Sequence, residues 1–444
     1  GFRASHDIVF AQNIGFQFAY SLMIKYYRFG KWLVQFFKFL SNNASWLAAG
    51  VLLTFVSSFG QTFFISIFGG QIRTEFGLSH AAWGGIYSLG TTASAIVMIW
   101  SGVLSDFFRT RIVGGIVLIG LACACLGMAF ISSAFFLPVV IFALRLFGQG
   151  MCSHLAVVAM SRWFVANRGR ALSIAGLGFS VGEAFMPIIF VFLITIVAWQ
   201  KLWLVAATLS FLAVPALWRL LRQERTPQSM SEENTSLGMK GKHWSRIEAL
   251  RHPLFWFMFP AILGQSAFNT AFFFHQVHFA QTKGWDHFLL VSFFPVYTGI
   301  SVLMMLWSGW ALDRFGTARI IPFFQVPMVV AFLCFAIGDG VLMFVLGLIF
   351  LSMTSGATAT LPNAFWAEFY GTGSLGSIKA LAAAVSVLGS AMGPGITGFL
   401  IDQGVELEMQ YFWIAGFFAI CVVALYVGVA RSKPQLVLSP APSS

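Results

Sequence analysis

Trp100-Ser101-Gly102-Val103-Leu104-Ser105-Asp106 closes one apolar run, and Trp307-Ser308-Gly309-Trp310-Ala311-Leu312-Asp313 closes another, at an offset of 207 residues (307 − 100). Gly182-Glu183-Ala184-Phe185-Met186-Pro187 and Gly389-Ser390-Ala391-Met392-Gly393-Pro394 keep the same offset. The period is far too long for a solenoid unit. It predicts a duplicated membrane bundle whose two halves rock against each other around a central site.

Composition agrees. The 444 residues are 58% apolar and only 9% charged, with 51 Phe, too little charge to dress a water-facing surface. Cys123, Cys125, Cys152, Cys334 and Cys421 all fall in apolar stretches without a Cys-x-x-Cys spacing, and read as small core residues rather than disulfide or metal ligands. The net charge of +11 reports orientation here, not a nucleic-acid partner.

Apolar runs of roughly 20 residues, the length that crosses ~30 Å of hydrocarbon, predict twelve spans. They fall at 45–69, 81–104, 112–132, 134–161, 171–198, 200–220, 254–281, 286–310, 318–338, 341–366, 376–401 and 409–430. The expected organisation is an all-α membrane protein: segment 1–44, a six-helix half 45–221, a linker 222–253, a second six-helix half 254–431 and a tail 432–444. With the N-terminus inside, all 26 Lys and Arg fall on the cytoplasmic side except Arg73, Lys201, Lys283 and the intramembrane Arg145. That asymmetry predicts a multi-pass protein of the plasma or inner membrane with both termini cytoplasmic. Residues 1–44 mix Lys25, Arg28, Lys31 and Lys38 with aromatic residues, as a helix lying on the cytoplasmic leaflet would, and Met23 offers a second starting point.

Twelve spans in two halves, with Gly102-x-x-x-Asp106-x-x-Arg109-x-Arg111 and Gly309-x-x-x-Asp313-Arg314-x-Gly316 after spans two and eight, resemble the major facilitator superfamily. The first copy has Phe107 where that family commonly has Arg, and Arg109 where it commonly has Gly. Trp163-Phe164-Val165-Ala166-Asn167-Arg168-Gly169-Arg170-Ala171, followed by Ala175, Gly178 and Gly182, is similar to the monocarboxylate transporter and oxalate/formate antiporter-like branch. That branch as a rule places a cation deep in span eight, whereas Asp286 to Trp310 contains no Lys or Arg. The resemblance implies the major facilitator fold, a central cavity lined by spans one, four, seven and ten, and a cytoplasmic gate. In that gate Asp106 and Asp313 face helix N-termini of the opposite half, joined by Arg109, Arg314 and Glu368. A carboxylate at a helix N-terminus is favoured by about 0.3–1 kcal/mol.

Intramembrane charges cost about 2.5–3.5 kcal/mol each on the insertion scale and need a reason. Arg145 and Glu183 both fall near mid-depth, on consecutive antiparallel spans, so a salt bridge between them is geometrically open. The functional reading makes Arg145 the carboxylate-binding group and Glu183 the proton carrier; the bland reading makes them a pair that fixes helix register. Gln61, Gln265, Asn269, His275, Tyr297 and Asn363 are the further candidate substrate contacts, and His278 stands one turn beyond His275, where the two could read external pH. Gly176, Gly178, Gly182, Gly389 and Gly393 are expected to let helices approach closely, and Pro187 and Pro394 to loosen theirs.

These residues predict a secondary transporter, not an enzyme, moving a small organic anion with a proton as co-substrate or by exchange, as a monomer in the lipid bilayer, with no cofactor and no metal. No Gly-x-x-x-x-Gly-Lys loop supports ATP-driven pumping. The alternatives are a proton-coupled exporter of amphipathic or cationic compounds, which would depend on Glu183 rather than Arg145, and a non-transporting sensor of the same fold that signals through residues 1–43.

Overall fold

A computed structural model describes residues 35, 37–101, 104, 108–164, 168–223, 237–371 and 374–436, the side chains of 99, 168, 313, 376 and 377 excepted. The segment 1–34, the first gate aspartate Asp106 and the tail beyond 436 lie outside the described residues.

Helices occupy all twelve expected runs. Span one is broken, Ala44–Gly60 and Thr62–Phe76 meeting at 46°. Spans two to six are His80–Ser101, Thr110–Ala129, Ala134–Trp163, Arg168–Ile194 and Trp199–Leu220. Span seven is Pro253–Phe274 continued by Gln276–Thr282, and span eight is His287–Val291 followed by Phe294–Phe315. Span nine is Thr317–Ile337, span ten Val341–Thr358 with Leu361–Tyr370, span eleven Leu375–Asp402 and span twelve Leu407–Ser432. Among the described residues 10 of these are long and apolar enough to cross a membrane, 11 with the bent pair of span one. Span two, the twelfth, is 22 residues diluted by Gly, Ser and Thr; at 1.5 Å per residue it is about 33 Å long.

The duplication is visible in the packing. Span five lies on span one and span eleven on span seven; span six on three and twelve on nine; span four on two and ten on eight. Small residues explain the first pairing in each half. A Cβ on Gly178 would sit 2.1 Å from the Val51 carbonyl oxygen, and one on Gly393 2.0 Å from that of Ala267. These helices touch backbone to backbone. Gly176 has open space instead.

The halves meet along two equivalent seams, span two on eleven and span five on eight. Hydrogen bonds crossing between the halves cluster from mid-depth toward the side opposite the linker, hereafter the far side. The Asp402 carboxylate accepts from the His80 and Ala81 amides (3.1 and 2.8 Å), capping span two from span eleven. Ser88 Oγ donates to the Ala391 carbonyl, and Gln276 Nε2 donates to Ser66 Oγ at 2.7 Å. Gly84 of span two lies so close to span eleven that a Cβ there would be 2.5 Å from the Pro394 carbonyl oxygen.

In the linker, Ser245 and Glu248 form a capping box on the short helix Arg246–Arg251, and the Trp244 amide donates to the Tyr370 carbonyl at 3.0 Å, tying the linker to span ten. Hydrogen bonds from Lys242 and the Ser245 amide hold the Glu248 carboxyl down to about 2.

Candidate functional site

The bend in span one starts the site. Gln61 is extended (φ −85°, ψ 154°), and the Phe64 and Ile65 amides both return to its carbonyl. The Gly60 carbonyl is thereby left out of the helix ladder and free for another donor. Gly60 itself abuts Gly148 of span four, where a Cβ would lie 2.2 Å from the Leu144 carbonyl oxygen. Span four in turn loosens to π-helical winding from Arg145 to Cys152, a form frequent at functional sites.

These two irregularities bring Arg145 to the break. Its Nη1 donates to the Gly60 carbonyl and to Thr62 Oγ1, both at 3.3 Å, and its Nη2 to Ser390 Oγ of the other half at 3.5 Å. The guanidinium carbon stands 5.3 Å from the centre of the Tyr87 ring, whose hydroxyl is 2.5 Å from Thr62 Oγ1. Every one of these partners is neutral. Arg145 is 3% exposed, and among the described residues its Nε has no partner. A buried cation held by long bonds to neutral groups is incompletely compensated.

Glu183 does not complete it. Its carboxylate accepts from Thr298 Oγ1 of span eight at 3.1 Å, and no Arg145–Glu183 ion pair forms between these two described side chains. The salt bridge that their shared depth left open does not form, because counting residues gives depth along a helix and not the direction a side chain takes around it.

Both charges line one cavity of about 360 Å³, together with the expected Gln61 and Asn269. The offset of 207 organises its wall. Glu183 and Ser390, Thr62 and Asn269, Phe63 and Thr270, and Phe179 and Ser386 are equivalent pairs, and all eight residues line it. Thr62, one of the span-one polar residues visible in the sequence, and Ser390, in the repeated motif, line it; Thr270 and Ser386 escaped the sequence reading because Ser and Thr are common in spans, yet the repeat points to them.

The other candidates do not converge there. Span seven turns Ser266, Asn269, Thr270 and Phe273 to the cavity, leaving Gln265 half-buried at the edge of that face. The Tyr297 hydroxyl is buried on Ser355 Oγ (2.8 Å), its ring 5.1 Å edge-on from Phe273. His275 donates from Nε2 to the Pro394 carbonyl at 3.0 Å on the far side, beside His80 and His278. Asn363 is exposed, its amide on the Ala359 carbonyl at 3.0 Å. At the expected gate, Arg109 and Arg314 are exposed and Glu368 half-buried, while Asp106 and the Asp313 side chain lie outside the described residues.

Comparison with known proteins agrees with this architecture. The profile of the Major Facilitator Superfamily matches residues 50–394 and 296–442. Monocarboxylate transporter 13 of Rattus norvegicus is 25% identical over 347 residues, covering 74% of this chain and 78% of that protein. A bacterial homolog of the human lysosomal transporter Spinster, solved inward-facing and unoccupied, superposes with a TM-score of 0.68 at 16% identity over 90% of this chain and 99% of that one. The nucleoside transporter NupG does so with a TM-score of 0.64 at 14% identity over 86% and 98%. A twelve-helix duplicated bundle with a central two-half cavity, matched by that profile along nearly its whole length, belongs to the Major Facilitator Superfamily, a family of membrane transporters and not of enzymes.

Proposed function

We propose that this protein carries a small organic anion, a carboxylate, across the membrane by alternating access, coupled to protons or by exchange. The observation that carries the reading is Arg145: a buried guanidinium on the cavity wall, with Nε unpartnered and no carboxylate paired to it among the described residues. A bidentate anion supplies the missing bonds and the missing charge. Gln61, Thr62, Asn269 and Ser390 are placed to bond the rest of a small polar molecule, and about 360 Å³ suits one. Glu183, on the same wall and held by one neutral hydroxyl, is the proposed proton carrier. The charge asymmetry of the loops orients the linker, both termini and the Asp106 and Asp313 gate to the cytoplasm, in a cell membrane. The seal on the far side is then the external one. The proposed halves run 45–221 and 254–431, and the proposed active unit is a monomer.

The test is proton movement in proteoliposomes holding a lumenal pH dye, challenged with organic acids, amines and neutral solutes. Lumen acidification by one class of acid, absent in Arg145→Ala, supports proton–anion symport. A response to amines that survives Arg145→Ala and vanishes in Glu183→Gln replaces it with cation export.

A further inference from the structure

Far from the central cavity, the seal between the halves gathers groups that transport of an anion does not use. Arg73 ends span one and donates from Nη1 to the His80 ring at the start of span two. The His80 ring centre is 4.2 Å from that of His278 and 5.9 Å from that of His275, both on span seven of the other half. From span eleven, Asp402 accepts the His80 and Ala81 amides. From span twelve, Glu408 faces His278 and shares Lys283, 2.9 Å from each, with Asp339; Glu406 lines the same pocket as His278. Arg73 and Asp402 bring opposite charges to the seam from the two halves.

Sealing therefore requires unprotonated rings. An imidazole that accepts a hydrogen bond from a guanidinium has a free nitrogen lone pair, and a proton on that nitrogen abolishes the bond. It also places a second positive charge against Arg73, and a proton on His278 adds a third within about 4 Å of the His80 ring. Separating the halves removes the conflict between His80 and His278, because the two rings belong to different halves; that between His80 and Arg73 lies within one half and stays. Coupling is reciprocal: a seam that disfavours protons is opened by them.

We propose that this seam is a second proton-binding site, separate from Glu183, in which protonation of His80 and His278 opens the far side of the transporter. His275, its Nε2–H on the Pro394 carbonyl, anchors span seven to span eleven within one half and moves with it. The inference needs no particular substrate and stands apart from the carboxylate reading.

The test is the distance between spin labels at Thr74→Cys (span one) and Gln403→Cys (span eleven), both exposed positions, in full-length protein lacking Cys123 and Cys334, in lipid nanodiscs from pH 8 to 5. A longer-distance population should grow on acidification, the open-to-sealed ratio rising by up to about tenfold per pH unit per proton taken up. His80→Gln with His278→Gln should hold the short distance throughout, and His278→Gln alone should flatten the response. A distance unchanged by pH in wild type, or an unaltered response in either histidine variant, overturns the proposal. Failure of the carboxylate reading would appear elsewhere, as transport indifferent to Arg145, with the seam still responding to acid.

Discussion

Arg145→Met separates a binding cation from a structural one. The side chain is 3% exposed, and its bonds run at 3.3–3.5 Å to a carbonyl and two hydroxyls, none of them charged. Removing it strands no buried carboxylate, since Glu183 is held by Thr298. Replacing buried ionic groups by apolar residues of similar volume is often neutral or stabilising by about 1–4 kcal/mol, whereas breaking a true buried pair costs about 3–5. Arg145→Met should therefore leave the melting temperature of the purified protein near that of wild type, relief of the uncompensated charge offsetting the Gly60 carbonyl that loses its donor. Binding, by contrast, should fall. Charge-assisted hydrogen bonds contribute about 1.5–3 kcal/mol each, so losing a two-bond fork, about 3–6 kcal/mol, weakens affinity on the order of a hundredfold to ten-thousandfold. Arg145→Lys, which keeps charge without the fork, should fall between. The assays are thermal unfolding in detergent and concentration-dependent uptake of the carboxylate. A variant that melts several degrees lower yet transports with unchanged KM would refute the reasoning and make Arg145 a register-fixing residue.

Glu183→Gln retains an acceptor for Thr298 and should preserve carboxylate exchange while abolishing net proton movement, measured by counterflow of labelled substrate beside the lumenal dye. Gly393→Ala should destabilise by about 1–3 kcal/mol in thermal unfolding, because its Cβ meets the Ala267 backbone carbonyl at 2.0 Å; Gly182→Ala should cost less, since the Ser58 hydroxyl that it meets at 2.1 Å can rotate away. Lys283, outside the spans, has its pKa lowered by burial but raised more by the hydrogen bonds that it donates to Glu408 and Asp339, for a net rise. A raised folded pKa gives stability that is complete below the unfolded value of about 10.4 and lost as pH climbs through the folded one. Above about pH 10 the melting temperature of wild type should thus fall more steeply than that of Lys283→Met; parallel curves would contradict this.

Depth and duplication were legible in the sequence because both are one-dimensional. The offset between the Gly182 and Gly389 motifs located two packing glycines and, through Glu183 and Ser390, two cavity residues. Residue counts put Arg145 and Glu183 at cavity level. Direction around a helix was not legible, because it depends on where span one breaks and where span four loosens, and neither Gly60-Gln61 nor Gly148-Gln149-Gly150 announces that by itself. Hence Thr298, not Arg145, reached Glu183, and Tyr297, Gln265 and Asn363 fell outside the cavity. His275 and His278 were visible as a pair, but their neighbours Arg73, His80 and Asp402 come from spans one, two and eleven. Only the fold brings them together.

The most direct test of the central claim, that an unpaired Arg145 awaits a carboxylate, is ligand-induced thermal stabilisation of the purified protein. Small organic acids are compared with their amides and with amines of matched size, in wild type and Arg145→Met. The account predicts that acids of one class raise the wild-type melting temperature, that their amides do not, and that Arg145→Met responds to neither. Stabilisation by amides or amines equal to that by acids, or an acid response of the same size in Arg145→Met, would contradict it.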